Sequence, residues 1–229
     1  ALVRPPIANI DQAILVFSVK EPAFSTTLLD RFLVVLESFN VKPIIVLTKM
    51  DLLTEQGLKE LQPYIQDYED IGYTVLTTYM DDPTLMERLT IHLEGKTSVL
   101  AGQSGVGKST LLNTLLPKLN IKTNEISQSL GRGKHTTRHV ELIEVADGLL
   151  ADTPGFSSFD FDTIEKEELT NCFPEFARIS GNCKFRECLH TKEPKCAVKE
   201  ALETGEIKPY RYKHYEQILQ EIQDRKPRY

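Results

Sequence analysis

The sequence predicts an α/β fold, in which a mostly parallel β-sheet carries helices on both faces, followed by a small, mainly α-helical domain. Three observations predict it. Apolar runs typical of buried strands alternate with amphipathic segments over the first 150 residues. One of these runs leads directly into a glycine-rich loop and a helix. Beyond Phe161 the sequence changes to short helical segments, cysteines and basic residues, so we place the domains at residues 1–162 and 163–229.

Continuous apolar runs are typical of strands that are covered on both faces of a sheet. The predicted strands are Ala13–Val19, Ile44–Leu47, Tyr73–Thr77, Thr97–Ala101, Val140–Val145 and Leu149–Ala151. The last two flank Asp147 and Gly148, a typical two-residue hairpin turn. Helices are predicted at Ser25–Phe39 with Ser25 as N-cap, from about Thr54, after Pro83, and from Lys108 to Leu116. A final helix is predicted at the end of the chain, where an apolar stripe for packing consists of Tyr212, Tyr215, Ile218, Leu219 and Ile222.

The composition is that of a globular protein with 41% hydrophobic and 26% charged residues among 229. No apolar run approaches the roughly 20 residues that cross a bilayer, and no signal peptide is recognisable, so we expect a cytoplasmic protein without a membrane partner. The net charge of −6 is uneven, because residues 172–229 carry +3 and the remainder −9. A polyanion partner for the basic tail and a simple solvated surface explain this asymmetry about equally well.

A phosphate-binding loop is the strongest motif. It matches GxxxxGK[ST] between a predicted strand and a predicted helix, and consists of Gly102, Gln103, Ser104, Gly105, Val106, Gly107, Lys108, Ser109 and Thr110. The glycines allow successive backbone N–H groups to surround an anion at a helix N-terminus. Lys108 supplies charge to the β- and γ-phosphates, and the Ser109 hydroxyl can ligate Mg²⁺.

Two further elements of a nucleotide switch follow this loop. Asp152 and Gly155 form a DxxG motif at the end of a strand, where Asp152 would hold Mg²⁺ through water and the Gly155 N–H would contact the γ-phosphate. In the segment GRGKHTTR, the hydroxyl of Thr136 or Thr137 can ligate Mg²⁺ and close over the γ-phosphate while it is present.

A guanine-reading motif precedes all of these elements. The residues Thr48, Lys49, Met50 and Asp51 (TKMD) resemble [NT]KxD at the end of a buried strand. The two oxygens of Asp51 match the N1–H and N2 amino group of guanine, and adenine lacks that pair of donors. Thr77 and Thr78 are a candidate start of the base-contacting loop. The order of motifs is therefore a cyclic rotation of the usual GTPase order, which can preserve the site in space.

The residue after DTPG is Phe156, which cannot orient a water molecule as the glutamine of Ras-like proteins does. Catalysis must then use another polar group. His135, beside the candidate magnesium threonines, is the best candidate to position or deprotonate the attacking water. The alternative is a loop histidine without a catalytic role.

The cysteine-bearing tail predicts a metal site. Cys183, Cys188, His190 and Cys196 offer three thiolates and one imidazole within 14 residues, a set that suits closed, structural Zn²⁺. Cys172 is predicted to be a buried thiol. Basic residues surround and follow the ligands and suit phosphate backbones, with few aromatic residues for base stacking; they are Lys184, Arg186, Lys192, Lys195, Arg211, Lys213, Arg225, Lys226 and Arg228.

Together these motifs resemble the circularly permuted, zinc-containing ribosome-assembly GTPases of the RsgA family, also called YjeQ or YloQ. The resemblance includes RPPIANIDQ at residues 4–12, TKMD, GQSGVGKST, GRGKHTTR, DTPGF and the C-x4-C-x-H-x5-C set. It implies hydrolysis of GTP to GDP and phosphate, stimulated by the small ribosomal subunit late in its maturation, and binding to rRNA near the decoding region.

The resemblance also implies that His135 is the catalytic histidine and that the Cys₃His set binds zinc. The family has an N-terminal OB-fold domain, which we expect to be absent from this chain because Ala1 falls about where that domain would end. We expect a monomer. Two alternatives stay open: a GTP-gated rRNA-binding module with incidental turnover, and an ATPase.

Overall fold

A computed structural model describes residues 10–102, 108, 111, 142–145, 148–152 and 161–226. The chain forms two compact units, and neither is continuous in sequence. The first comprises residues 1–23, 44–53 and 76–157, and the second comprises residues 24–43, 54–75 and 158–229. Two early segments thus belong to the same unit as the cysteine-bearing tail. The predicted domain boundary near residue 162 stays a prediction.

A six-stranded sheet has the strand order β3-β2-β1-β4-β6-β5. Its strands are β1 (Gln12–Ser18), β2 (Lys42–Thr48), β3 (Thr74–Thr77), β4 (Thr97–Gly102), β5 (Leu142–Val145) and β6 (Gly148–Asp152). β4 pairs in parallel with β1 and with β6, whereas β5 and β6 form an antiparallel pair. The predicted parallel sheet with one antiparallel strand pair is confirmed, and Asp147 of the predicted hairpin turn lies outside the described residues.

The described helices are α1 (Thr26–Ser38), α2 (Glu55–Ile71), α3 (Leu85–Leu93), α4 (Pro174–Ala177), α5 (Ala197–Thr204) and α6 (Pro209–Gln223), with 3₁₀ turns at Met50–Leu52, Leu169–Cys172 and Ser180–Asn182. Ser25 caps α1 as predicted, since its side-chain oxygen accepts from the Leu28 N–H at 3.2 Å. Among these helices, none is long and apolar enough to cross a membrane.

The first unit is built on apolar side chains of the sheet and of α3. Strand residues and one face of α3 form a single buried cluster, which includes Ile14, Val16, Ile44, Val46, Leu85, Leu89, Leu93, Leu100 and Leu150. The burial of all seven β1 residues agrees with a central strand covered on both faces. This packing fixes the strand ends from which the candidate site is built.

The second unit buries a charged cluster around Arg211 of α6. The Arg211 guanidinium, with no exposed side-chain surface, donates to Asp30 at 2.9 Å and to both carboxylate oxygens of Glu175 at 3.0 and 2.7 Å. Asp30, also fully buried, accepts from the Tyr68 hydroxyl at 2.6 Å and contacts His214 Nδ1 at 2.5 Å. The expectation that Arg211 belongs to an exposed basic surface is therefore wrong.

Arg211 keeps its charge inside this cluster. Burial acts to lower the pKa of the guanidinium, but Asp30 and Glu175 act in the opposite direction and hold that pKa well above its ordinary value. An ion pair with this many hydrogen bonds is stable once assembled, and removal of one partner leaves an uncompensated buried charge.

We expect Arg211→Met to lower the free energy of unfolding by about 3–5 kcal/mol, because Asp30 and Glu175 then lose their buried counter-charge. Urea unfolding of the zinc-loaded protein measures the change. Lys213→Met is the matched control, since Lys213 lies two residues away on α6 and is exposed, and it should change stability by less than about 0.5 kcal/mol. Equal effects of the two substitutions would show that the buried cluster does not stabilise the fold.

Candidate nucleotide site and metal centre

The C-terminal ends of the central strands meet at one edge of the sheet. Gly102 of β4 is in register with Val16 of β1, and Asp152 of β6 is in register with Leu100 of β4. At the same edge, the Val19 N–H donates to the carbonyl of Thr48, the last residue of β2, at 3.1 Å. Three motifs that are far apart in the sequence, TKMD, the phosphate loop and DxxG, thus begin or end along this edge.

The strand order reverses at the centre of this edge. The chain moves outward from β1 to β2 and β3 on one side, and β4 begins the other side. In open α/β sheets, ligands bind outside the carboxyl ends of the strands at such a point. Since adjacent strands are about 4.8 Å apart, the ends of β2 and β4 are separated by about 10 Å, which suits one nucleotide with its base at β2 and its phosphates at β4.

Gly102 begins the phosphate loop in a conformation that requires glycine. Its φ is +139°, and a Cβ atom built on it would lie 2.2 Å from the carbonyl oxygen of Val16. β4 can therefore approach β1 this closely only without a side chain at position 102. Lys108, further along the loop, is helical and half-buried, as expected where a phosphate loop enters its helix.

The TKMD segment turns sharply at the end of β2. Thr48 is buried, and its hydroxyl donates to the Phe17 carbonyl at 3.4 Å. Lys49 adopts a left-handed conformation with φ +63°, and its ammonium group donates to the Glu21 carbonyl. Met50–Leu52 then form a 3₁₀ turn with Asp51 exposed. The threonine that replaces the usual asparagine thus ties β2 to β1, and the carboxylate of Asp51 is accessible.

The segment after β3 is joined by two main-chain hydrogen bonds to TKMD and to the residue before it. The Thr78 N–H donates to the Leu47 carbonyl at 2.8 Å, and the Met50 N–H donates to the Thr78 carbonyl at 3.1 Å. Thr77 and Thr78 therefore lie beside the candidate base-reading residues. A direct contact of this segment with a base stays a prediction.

Several predicted site residues lie outside the described part of the chain. They are Gln103, Ser104, Gly105, Val106, Gly107, Ser109, Thr110, His135, Thr136, Thr137 and Gly155. For Asp152 the structure describes the strand position alone. The roles of all these residues stay predictions.

The predicted metal ligands converge in the second unit. One donor atom from each of Cys183, Cys188, His190 and Cys196 lies within 4.8 Å of the others. His190 Nδ1 is 3.2 Å from the sulfur of Cys196 and 3.7 Å from that of Cys183, and these two sulfurs are 4.0 Å apart. A tetrahedral zinc site with Zn–S near 2.3 Å and Zn–N near 2.0 Å requires donors about 3.5–3.8 Å apart. The donor set therefore fits a closed four-coordinate metal site.

Surrounding groups hold the ligands in this arrangement. His190 Nε2 lies 2.8 Å from the Thr170 hydroxyl, which directs Nδ1 towards the sulfurs. The Tyr212 hydroxyl donates to the His190 carbonyl at 2.6 Å, and the Tyr215 hydroxyl donates to the Leu189 carbonyl at 2.8 Å. The metal loop is the segment from Cys183 to Cys196 that carries the four candidate ligands. The two tyrosines of the predicted apolar stripe pack against neighbouring aromatic rings and also hold this loop through their hydroxyls.

Backbone strain in the loop is concentrated at the ligands. Glu187, His190 and Lys195 have φ values of +58°, +59° and +55°, and each is a ligand or directly precedes one. Left-handed conformations are unfavourable for such residues and persist where other interactions over-determine the backbone. Metal coordination would supply those interactions.

The electrostatic state of the ligands also suits a metal. Burial lowers the pKa of His190, so its imidazole is neutral at physiological pH. Burial, together with the neighbouring sulfurs of Cys196 and Cys183, raises the pKa of Cys188 to about 12. Metal binding must therefore displace protons from the thiols. Cys172 is not one of these ligands; it is buried as predicted, and burial raises its pKa to about 12.

Of the basic residues predicted to contact phosphates, those on the metal loop are exposed: Lys184, Arg186, Lys192 and Lys195. The sequence does not predict the buried Arg211 cluster or a second polar network around Asp82, near the end of β3. Helical spacing places Arg211 on the face of Tyr215 and Ile218, but it does not show the partners of Arg211 or of Asp82, because these partners come from different elements and meet only in the folded chain.

Known proteins resemble this chain over its whole length. The model of the RsgA GTPase family matches residues 1–162. The curated relative "Small ribosomal subunit biogenesis GTPase RsgA" of Bacillus velezensis is 60% identical over 229 residues, which are 100% of this chain and 77% of the relative. The protein of the same name from Bacillus subtilis is 58% identical with the same coverage.

Two solved structures share the fold. The structure titled "The crystal structure of YloQ, a circularly permuted GTPase" matches with a TM-score of 0.82 and 51% identity, covering 96% of this chain and 71% of that one. The crystal structure of YjeQ from Thermotoga maritima matches with a TM-score of 0.80 and 37% identity, covering 95% and 73%.

Proposed function

Because this chain belongs to the RsgA GTPase family, we propose that it binds GTP at the C-terminal edge of its sheet and hydrolyses it to GDP and phosphate under stimulation by the small ribosomal subunit. It acts in the maturation of that subunit, as the names of its relatives indicate for them. It works as a monomer in the cytoplasm, with GTP, GDP and rRNA as its partners.

The convergence of motifs at one sheet edge is the observation that supports this proposal best. Thr48 ends β2, Gly102 ends β4 and Asp152 ends β6, with β1 between β2 and β4. TKMD comes before the phosphate loop in the sequence, but the strand order brings the ends of β2, β4 and β6 to the same sheet edge. Rotation of the motif order is therefore compatible with one GTP site.

Each motif has a separate task in this site. Asp51 accepts from the guanine edge, whereas Lys108 and the N–H groups of the phosphate loop hold the phosphates. Ser109 and Thr137, or Thr136 in place of the latter, are the residues that would hold Mg²⁺, which when bound neutralises phosphate charge. The Cys₃His centre would hold Zn²⁺ as a structural ion, because protein donors fill all four positions.

His135 is the proposed catalytic residue. Phe156 after DTPG offers no hydrogen bond to water, so the water must be oriented from another segment. A neutral imidazole there accepts a proton from the water as the oxygen attacks the γ-phosphate. Intrinsic turnover is expected to be slow in the absence of small ribosomal subunits.

We expect His135→Ala to lower subunit-stimulated GTP turnover by about 10²–10⁴-fold, because general base catalysis is lost, and to leave GTP affinity within about twofold. Single-turnover hydrolysis with and without purified small subunits measures this, and His92→Ala, a histidine on α3, is the control. If subunits do not stimulate the unaltered protein, a GTP-gated rRNA-binding module is favoured. If ATP competes equally with GTP, an ATPase is favoured.

A further inference from the structure

Asp82, four residues beyond Thr78, is a buried carboxylate with a full set of hydrogen bonds. Its Oδ1 accepts from the main-chain N–H of Thr84 at 2.9 Å and from the Thr84 hydroxyl at 2.7 Å. Its Oδ2 accepts from the Thr78 hydroxyl at 2.9 Å and from the Arg88 guanidinium at 2.7 Å. Only 5% of Asp82 is exposed, so these partners replace its hydration.

Arg88 closes the network from helix α3. Besides Asp82, its guanidinium donates to the carbonyl of Thr77 at 2.9 Å, and its Nε donates to the Thr84 hydroxyl at 3.1 Å. Thr77 is the last residue of β3. The network therefore fixes the chain at the point where it leaves the sheet.

The network is charged at physiological pH. Burial acts to raise the pKa of Asp82, but hydrogen bonds from Thr84 and Thr78 and the charge of Arg88 outweigh it and hold the pKa below its usual value. Charge-assisted hydrogen bonds of this kind are stronger than neutral ones. The position of Thr78 is thus set by a strong local interaction.

Thr78 connects the Asp82 network to the TKMD segment. Its hydroxyl is bound by Asp82, while its N–H and carbonyl are bound to Leu47 and Met50, at 2.8 and 3.1 Å. Met50 directly precedes Asp51, whose side chain is exposed. The turn is held before Met50 by Lys49, whose ammonium donates to the Glu21 carbonyl, and at Met50 by the Thr78 carbonyl. We therefore expect a shift at Thr78 to change the position of Met50 and of Asp51.

We propose that Asp82, together with Arg88, is a positioning residue that acts through Thr78 on Asp51 and so sets the preference for guanine over hypoxanthine. The inference rests on the proposed role of Asp51 in reading guanine. Hypoxanthine lacks the N2 amino group, so the ratio of the two affinities reports how well the Asp51 carboxylate is placed for that group. If the network served only to hold the start of helix α3, substitutions in it would leave this ratio of affinities unchanged.

The test is the ratio of dissociation constants for IDP and GDP, measured by calorimetry on the zinc-loaded protein. We expect a ratio of about tenfold or more in the unaltered chain, as for a hydrogen bond to a charged group. Asp82→Asn should reduce the ratio by about threefold or more, because one amide cannot accept from all these donors. Asp81→Asn, the same substitution at the exposed neighbour, should leave it unchanged.

Arg88→Gln is the second variant, because Arg88 is partly exposed and its loss leaves Asp82 with its threonine donors. It should reduce the ratio in the same direction, and it decides the question if Asp82→Asn does not fold. Equal weakening of GDP and IDP, or an unchanged ratio in both variants, would overturn the inference. Asp51→Ala separates the two proposals: if it too leaves the ratio unchanged, the proposed role of Asp51 is the part that fails.

Discussion

Replacement of Cys188 by serine is expected to abolish stoichiometric zinc binding and to unfold the metal loop. A structural zinc site contributes about 10–16 kcal/mol of apparent binding free energy at neutral pH, and that energy is available only to the folded chain. Serine replaces one of the four donors, and the backbone strain at His190 and Lys195 then has no coordination to offset it. Zinc content by mass spectrometry and thermal unfolding measure the two effects.

Cys172→Ser is the matched control for this substitution. Cys172 is buried in the same unit, but it is not one of the four converging donors, so the variant should retain about one zinc per chain and lose only about 1 kcal/mol. Affinity for zinc should also rise with pH, since the burial-raised pKa of Cys188, about 12, means that zinc displaces a proton from its thiol. Full zinc content in Cys188→Ser would contradict the assignment of the ligands.

The strands, the antiparallel strand pair and the Cys₃His cluster could be predicted from the sequence because their signals are local. Continuous apolar runs predict β1 and β2. The Cys₃His spacing predicts a metal loop, because all four donors lie within a short segment of the chain and can reach one ion. The position of TKMD at the same sheet edge as the start of the phosphate loop could also be predicted, because both motifs directly follow apolar runs. In parallel sheets the ends of such strands share one edge.

The composition of the second unit could not be predicted in this way. Asp30 and Arg211 are 181 residues apart in the chain. Helical spacing places Arg211, unlike Lys213, on the face of Tyr215 and Ile218, but it does not show which carboxylate would pair with Arg211. Only the packing of α1 and α6 shows that one of these cations is buried against a carboxylate. The Asp82 network could not be predicted for a related reason. In the sequence its threonines and Arg88 resemble ordinary surface residues, and only the turn after β3 brings them together.

Asp51→Asn is expected to invert the base preference from guanine to xanthine. In the proposed site, the Asp51 carboxylate accepts from the N1–H and the N2 amino group of guanine, whereas xanthine would present an oxygen at position 2 that repels it. An asparagine amide can instead donate to that oxygen while its carbonyl accepts from N1–H. Sites built around a substrate hydrogen bond reject the analogue that lacks it by on the order of 10⁴-fold, so the substitution should weaken GDP binding severely.

The most direct test of the rotated GTP site is therefore the affinity of the unaltered protein and of Asp51→Asn for GDP and XDP. If TKMD and the phosphate loop hold one nucleotide, the unaltered protein binds GDP far more tightly than XDP and the variant binds XDP more tightly than GDP, while Asp81→Asn retains the guanine preference. An Asp51→Asn protein that still prefers GDP by the original factor would contradict the account.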